Sequence, residues 1–214
     1  MKKYLLVILI FLPLSLAQAQ ETDLEKPEDA FATWTDIIIR KDFSNWHVGG
    51  LLEYCTIDKG QGLKNNEMLI RPIAGYNPLP WLRFQLQVDF LYSFYSGFYL
   101  RYIPDMTFYW KASDFRFSIR NRVQLSHHVK TGKISPAVRN RFKVDYLIPN
   151  TPVTAHIAAE PYWFDRFIKT RYYLGADFKI NGNLSLTADY IRYQHYDMGK
   201  PHQNVVSLAV YVRL

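Results

Sequence analysis

The stretch Phe115–His128, FRFSIRNRVQLSHH, separates by parity. Arg116, Ser118, Arg120, Arg122, Gln124, Ser126 and His128 fall on one parity, and Phe115, Phe117, Ile119, Val123 and Leu125 on the other. In a β-strand the two parities face opposite ways. One face therefore requires water or counter-charge, and the other requires a dry surrounding. Which of them turns inward decides what kind of protein this is.

The same division recurs along the chain. Arg139, Arg141, Lys143 and Asp145 oppose Val138, Phe142, Val144, Tyr146 and Ile148. Arg83, Gln85, Gln87 and Asp89 oppose Leu82, Phe84, Leu86, Val88 and Phe90. Lys169, Arg171, Asp177 and Lys179 oppose Ile168, Tyr172, Leu174, Phe178 and Ile180, and Val206, Leu208, Val210, Val212 and Leu214 form a last apolar parity. No segment sustains a 3.6-residue period. The pattern predicts strands at about 32–41, 46–56, 66–76, 81–92, 98–110, 114–128, 136–148, 152–163, 167–180, 183–196 and 203–214.

The connections alternate in kind. KDFSN (41–45), NPLP (77–80), KAS (111–113), PNTP (149–152) and NGN (181–183) carry the Pro, Gly, Asn, Asp and Ser chemistry of tight reversals. Between them lie looser segments at 57–66, 93–97, 128–135, 164–169 and 196–203. Short turns at one end and longer loops at the other are the layout of an up-and-down outer-membrane barrel.

A soluble sandwich or lipocalin-type barrel would turn the dry parity inward. Two features favour the reverse. Many of the candidate strands exceed the five or six residues usual in globular sheets. Aromatic residues such as Tyr76, Trp110, Tyr146 and Trp163 stand near strand ends on the dry face, where an interfacial girdle needs them. The expected fold is therefore all-β: an up-and-down antiparallel transmembrane barrel, dry outside and charged inside, closed so that no backbone group is left unpaired in lipid. Ten strands from Trp46 to Leu214 make an even-numbered barrel. Ala32–Lys41 is then a plugging segment, or part of a twelve-stranded barrel.

The N-terminus specifies a compartment. Lys2 and Lys3, the apolar run YLLVILIFLPLSLA and the small-x-small site Ala17-Gln18-Ala19 read as a secretory signal peptide over residues 1–19, with the mature chain beginning at Gln20. Residues 20–31 read as a flexible acidic leader and 32–214 as the barrel. Cys55 is the only cysteine, so an internal disulfide is excluded and no thiol stands at the cleavage point for lipid attachment. Of 26 Lys and Arg, Lys2 and Lys3 leave with the signal; 24 remain against 19 Asp and Glu. That excess suits an anionic surface such as lipopolysaccharide, and outer-membrane lipid and lipopolysaccharide are the expected partners; nothing points to nucleic acid. Aromatic residues make up 16% of the chain, a composition that fits strands and membrane-interface belts.

The candidate site is the set of charges on the wet parity. Its basic members are Arg83, Arg116, Arg120, Arg122, Arg139, Arg141, Lys143 and Arg171; its acids are Asp89, Asp145, Glu160 and Asp177, with Glu53 and Asp189 beside them. Charges enclosed in a narrow barrel are costly unless paired, so the expected arrangement is an ion-pair network filling the lumen. The alternative is a basic patch that selects small anions. Ser126 and His128 share a parity and could serve a lipid hydrolase, which needs a serine activated by a histidine. His47, His156, His195 and His202 show no ligand spacing, so no metal site and no cofactor are indicated. Gly49, Gly50 and Gly175 lie in strands and read as places of bending or close packing. Phe94, Tyr95, Phe98, Trp163, Phe164 and Phe167 could dock a partner or anchor loops at the membrane interface.

Several runs also resemble a known family. RNRFKVDYLIPNTPVTAHIAAEPYWFDR, with its Arg-x-Arg-x-Lys-x-Asp-Tyr strand and Ile-Pro turn (Arg139 to Pro149) and Glu160 followed by aromatics, is one. Arg171-Tyr172 leading to Gly175 and Lys179-Ile180-Asn181 is another. Over roughly Trp34 to Leu214 they resemble the bacterial outer-membrane family catalogued as domain of unknown function 2490, common in Bacteroidetes. The resemblance implies a β-barrel and a signal peptide, and it implies no catalytic residues. The resulting expectation is an integral outer-membrane barrel with a charged, filled lumen and a structural or accessory role in a larger outer-membrane assembly, not an enzyme. A narrow anion-selective channel and a lipid A deacylase-like hydrolase are the alternatives.

Overall fold

The computed structural model describes residues 29–58, 60–196 and 200–214. The expected signal peptide and all but the end of the expected leader lie outside them. Eleven strands follow one another: β1 (Ala30–Phe43), β2 (Trp46–Asp58), β3 (Lys64–Leu79), β4 (Leu82–Ser93), β5 (Gly97–Ala112), β6 (Phe115–His128), β7 (Lys133–Leu147), β8 (Val153–Trp163), β9 (Phe167–Lys179), β10 (Leu184–His195) and β11 (Gln203–Arg213). Each pairs with its neighbours in sequence, and β1 closes the ring against β11. The all-β, up-and-down barrel is as the sequence predicts.

Among the described residues the strand number is eleven, between the expected ten and twelve. Ala32–Lys41 is neither a plug nor half of a missing hairpin; it belongs to β1, which also takes Ala30 and Phe31 from the leader. With an odd count the closing pair must run parallel, and β1 meets β11 in parallel register from Ala30 opposite Gln203 to Arg40 opposite Arg213. The physical requirement is that every edge group be paired, and a parallel ladder meets it. Evenness is not required.

Parity settles the inside. The large exposed apolar side chains include Ile37, Leu52, Ile70, Leu86, Val123, Leu174 and Leu208, all on the dry parities, while Asp89, Asp105, Arg122, Arg139, Asp145 and Glu160 are buried. Aromatic pairs ring both ends. Trp46 packs on Tyr76, Trp81 on Phe108, Trp110 on Phe117 and Phe115 on Tyr146 at the turn end. Trp163, Phe167 and Tyr196 stack in series at the loop end.

The tight turns fall where the sequence places them. Ser44 and Ser113 take positive φ between the strands of two-residue connections, as Asn150 does between β7 and β8. The loops at the other end are shorter than the sequence suggests, because β3 begins already at Lys64 and β7 at Lys133, ahead of their expected starts, while β9 begins at Phe167 as expected. Inside the loop end, Ala32, Ile191, Tyr193 and Val205 form an apolar cluster against Trp34, Ile57 and Tyr173. Arg40 and Arg213 both reach Asp42 at the turn end of the closing pair.

Candidate functional site

The lumen is not packed solid. A chamber of about 610 Å³ lies within it, lined on one side by β5 to β9 and on the other by β1 to β3, β10 and β11. A second cavity, about 390 Å³, opens at the turn end beside Arg116, Lys179 and Arg213, and both cavities are bordered by Asp177, Thr187 and Tyr211. The expected ion-pair network is present, and it leaves this space open beside it. The reason is geometric: the ionic side chains lie back against the wall on buried carboxylates and do not span the bore.

Those carboxylates form a lower layer. Glu160 is fully buried and accepts hydrogen bonds from Arg120 at 2.8 Å, Arg139 at 3.1 Å and the Tyr173 hydroxyl at 2.8 Å, with Arg171 at 3.8 Å. Asp105 accepts from Arg122 at 3.0 Å and Gln87 at 2.6 Å. Asp89 takes a two-point contact from Arg71, at 2.5 and 2.9 Å, with Arg101 at 4.0 Å. Asp145 receives Arg116 at 3.2 Å and Lys143 at 2.9 Å. Arg171 is further braced by the rings of Tyr193, Tyr162 and Trp34, 4.4 to 5.3 Å away. Planar guanidinium over an aromatic face is held both by charge and by packing.

The basic wall carries like charges face to face: Arg120 stands opposite Arg141 and Arg122 opposite Arg139 in the β6–β7 ladder. Directly opposed like charges repel. Almost diametrically across the ring, Asp36 on β1 faces Glu53 on β2 in the same sense. The chamber therefore has an arginine side and a carboxylate side. Arg141 and Lys169 both line it, and neither makes an ion pair among the described residues; Lys169 lies over the rings of Tyr162 and Tyr193.

With this geometry in hand, the sequence can be placed among known proteins. The profile of a family described as proteins of unknown function, DUF2490, matches residues 31–204. The chain belongs to that family. No curated protein matches it. Among solved structures the NanC porin, in its rhombohedral crystal form, is similar in fold, with a TM-score of 0.52 and 11% sequence identity over 85% of this chain and 99% of that one.

Of the residues singled out in this DUF2490 chain, Arg120, Arg122, Arg139, Arg141, Lys143, Arg171 and Asp177 line the chamber, and Asp89, Asp145 and Glu160 lie in or behind its wall. Arg116 borders the turn-end cavity. Arg83 stands apart, in a small cavity with His47 and over the Tyr109 ring. Sequence reasoning missed Arg71, Arg101 and Asp105. Arg101 and Asp105 do share a parity with Thr107, but Ile103 on that parity and Pro104 beside it hide the alternation. Ser126 and His128 are not brought together: the Ser126 hydroxyl accepts from Gln124, and the two nitrogens of His128 are taken by Thr131 at 2.6 Å and the Ser96 carbonyl at 2.7 Å. Of the glycines, Gly49 and Gly175 sit where a Cβ would strike neighbouring atoms at 2.4 and 1.9 Å, whereas Gly50 has room.

Proposed function

We propose that this barrel is a narrow conduit of the bacterial outer membrane through which small anionic solutes pass, its apolar belt solvated by membrane lipid and its lumen providing the path. The space left inside the barrel favours this reading over a purely structural role. The observation that carries it is the chamber lined by Arg141 and Lys169, neither of which makes an ion pair among the described residues. Cations lining an open chamber attract anions, while the opposed pair Asp36 and Glu53 favours cations on the far side. Guanidinium groups seated on buried carboxylates keep their donors in fixed positions, so an anion can exchange one set for the next without waiting for side chains to reorganise. The hydrolase reading has no support, since His128 is committed to Thr131 and Ser96.

Reconstitution in planar bilayers under a salt gradient tests the proposal. Discrete conductance steps are expected, with a reversal potential on the anion-selective side. Neutralising both cations, Arg141→Ala with Lys169→Ala, is expected to lower the anion-to-cation permeability ratio several-fold. A correctly folded barrel that conducts nothing, or whose selectivity ignores both substitutions, overturns it.

A further inference from the structure

Three strands aim two carboxylates and a ring nitrogen at one point of the lumen wall. Asp145 on β7, His156 on β8 and Asp177 on β9 each offer one ligand atom, and these atoms lie within 4.8 Å of one another. Each group is held from behind by a different partner. Arg116 donates to Asp145 Oδ2 at 3.2 Å, the Thr187 hydroxyl donates to Asp177 Oδ1 at 2.6 Å, and His156 Nε2 lies 2.6 Å from Asp189 Oδ1. A carboxylate only accepts, so Nε2 carries a proton, and when the ring is neutral its lone pair is on Nδ1.

That nitrogen is the second observation. The His156 side chain is only 4% exposed, its Nδ1 has no hydrogen-bond partner, and the Asp177 Oδ2 atom is 3.6 Å away. The separation is too long for a hydrogen bond. It is close to the edge, about 3.4 Å, of a tetrahedron of ligands with bonds of about 2.0–2.1 Å around zinc. An imidazole whose outer nitrogen is tied to a carboxylate is the usual support of a metal-ligating histidine. Gly175 on β9 makes room for it, since a Cβ there would lie 1.9 Å from Asp189 Oδ1 and 2.8 Å from His156 Nε2. A protein cation stands at the convergence: Lys143 Nζ is 2.9 Å from Asp145 Oδ1 and 3.8 Å from Asp177 Oδ2.

We propose that Asp145, His156 and Asp177 bind a divalent transition-metal ion of the zinc type, the Lys143 ammonium leaving the cluster as the ion enters. One nitrogen and two oxygen donors suit zinc better than calcium or magnesium, which take oxygen alone. Three protein ligands leave a fourth position for water from the chamber. Because Asp177 borders both cavities, the ion lies between them and on the path of a permeating solute; this consequence rests on the conduit reading, and the site itself does not.

The test is calorimetric titration of the detergent-folded mature protein with Zn²⁺, followed by Co²⁺ as a spectroscopic probe. One saturable equivalent is expected, with the visible absorption of four-coordinate Co²⁺. His156→Ala and Asp177→Asn should each abolish it, Asp189→Asn should weaken it about 10–100-fold through lost support of the ring, and Lys143→Met should tighten it. Circular dichroism reports whether each variant keeps its strands. Absence of saturable binding in both the wild type and Lys143→Met overturns the site, as does binding that persists undiminished in His156→Ala. Binding without conductance sinks the conduit and leaves the site standing.

Discussion

The wall formed by β6 and β7 and the wall at the β1–β11 closure line the same lumen and are built on opposite principles. At the first, Arg120 faces Arg141 and Arg122 faces Arg139, and the repulsion is met by Glu160 and Asp105 buried beneath. At the second, Ala32 and Val205 pack with Ile191 and Tyr193, with no charge among them. Inside the closure, this cluster is thus held by apolar packing without an ion pair of its own. The arginine wall is therefore not what closing a barrel demands, and its energetic cost points to a use.

Removing Glu160 should have the largest effect on that contrast. Glu160→Ala leaves Arg120, Arg139 and Arg171 around a site without negative charge, and breaking a buried ion pair by deleting one partner costs about 3–5 kcal/mol. A matching fall in the urea midpoint of the folded barrel in lipid vesicles is the expected result. Glu160→Gln, which keeps an acceptor for Tyr173 but not the charge, should fall between the two. Equal stability of all three would mean that the arginines are sustained by water in the chamber.

On the apolar wall the corresponding deletion is Ile191→Ala. Loss of a buried branched side chain costs about 2–5 kcal/mol depending on how far neighbours relax. With the chamber adjoining, relaxation is easy, and the loss should lie at the lower end, about 2–3 kcal/mol by the same denaturation measurement. A smaller effect than Glu160→Ala is what distinguishes a cluster held by area from one held by charge.

Arg141→Ala should separate stability from permeation. Arg141 faces Arg120, lines the chamber and makes no ion pair among the described residues, so its removal relieves repulsion without orphaning a carboxylate. The stability change should stay within about 0.5 kcal/mol, while anion selectivity falls. If the barrel instead loses stability on the scale of Glu160→Ala, Arg141 is part of the supporting network.

How much of this was legible depended on whether the information lay along a strand or between strands. Parity along Arg116, Arg120 and Arg122, or along Arg139, Arg141 and Lys143, is a property of one segment, and it fixed both the fold class and most of the basic wall. Strand limits followed from turn chemistry to within a few residues. The hollow bore was not legible, because it depends on how far each long side chain lies back, which the counter-ion on another strand decides. The convergence of Asp145, His156 and Asp177 was hidden for the same reason: its members come from three strands and share no spacing. The parallel closure escaped because Ala30–Phe43 reads as a strand either way, and only the ring as a whole shows that its partner is β11.

The smallest expected effect lies at the loop-end rim of the apolar wall, where an ion pair stands in water. Asp29, just before β1, accepts a hydrogen bond from Arg192 on β10, and Arg192 also donates to Asn204 on β11 at 2.8 Å. The contact thus clasps the closure at its loop end, as Asp42 does at the turn end. Arg192, through its hydrogen bond and then its charge, holds the Asp29 carboxyl below its ordinary value of 3.8. A carboxyl depressed in the folded state stabilises that state where the free group is ionised, and the contribution is lost as pH falls through the depressed value. Asp29→Asn should therefore lower the thermal midpoint slightly at neutral pH, with the gap from wild type closing below about pH 4 and shrinking at high salt, since exposed pairs are screened. The Glu160 contacts, with the carboxylate buried beneath its arginines, should respond less to added salt. A gap at Asp29 that persists in strong acid would show that the side chain acts through its hydrogen bonds to the β10–β11 rim and not through its charge.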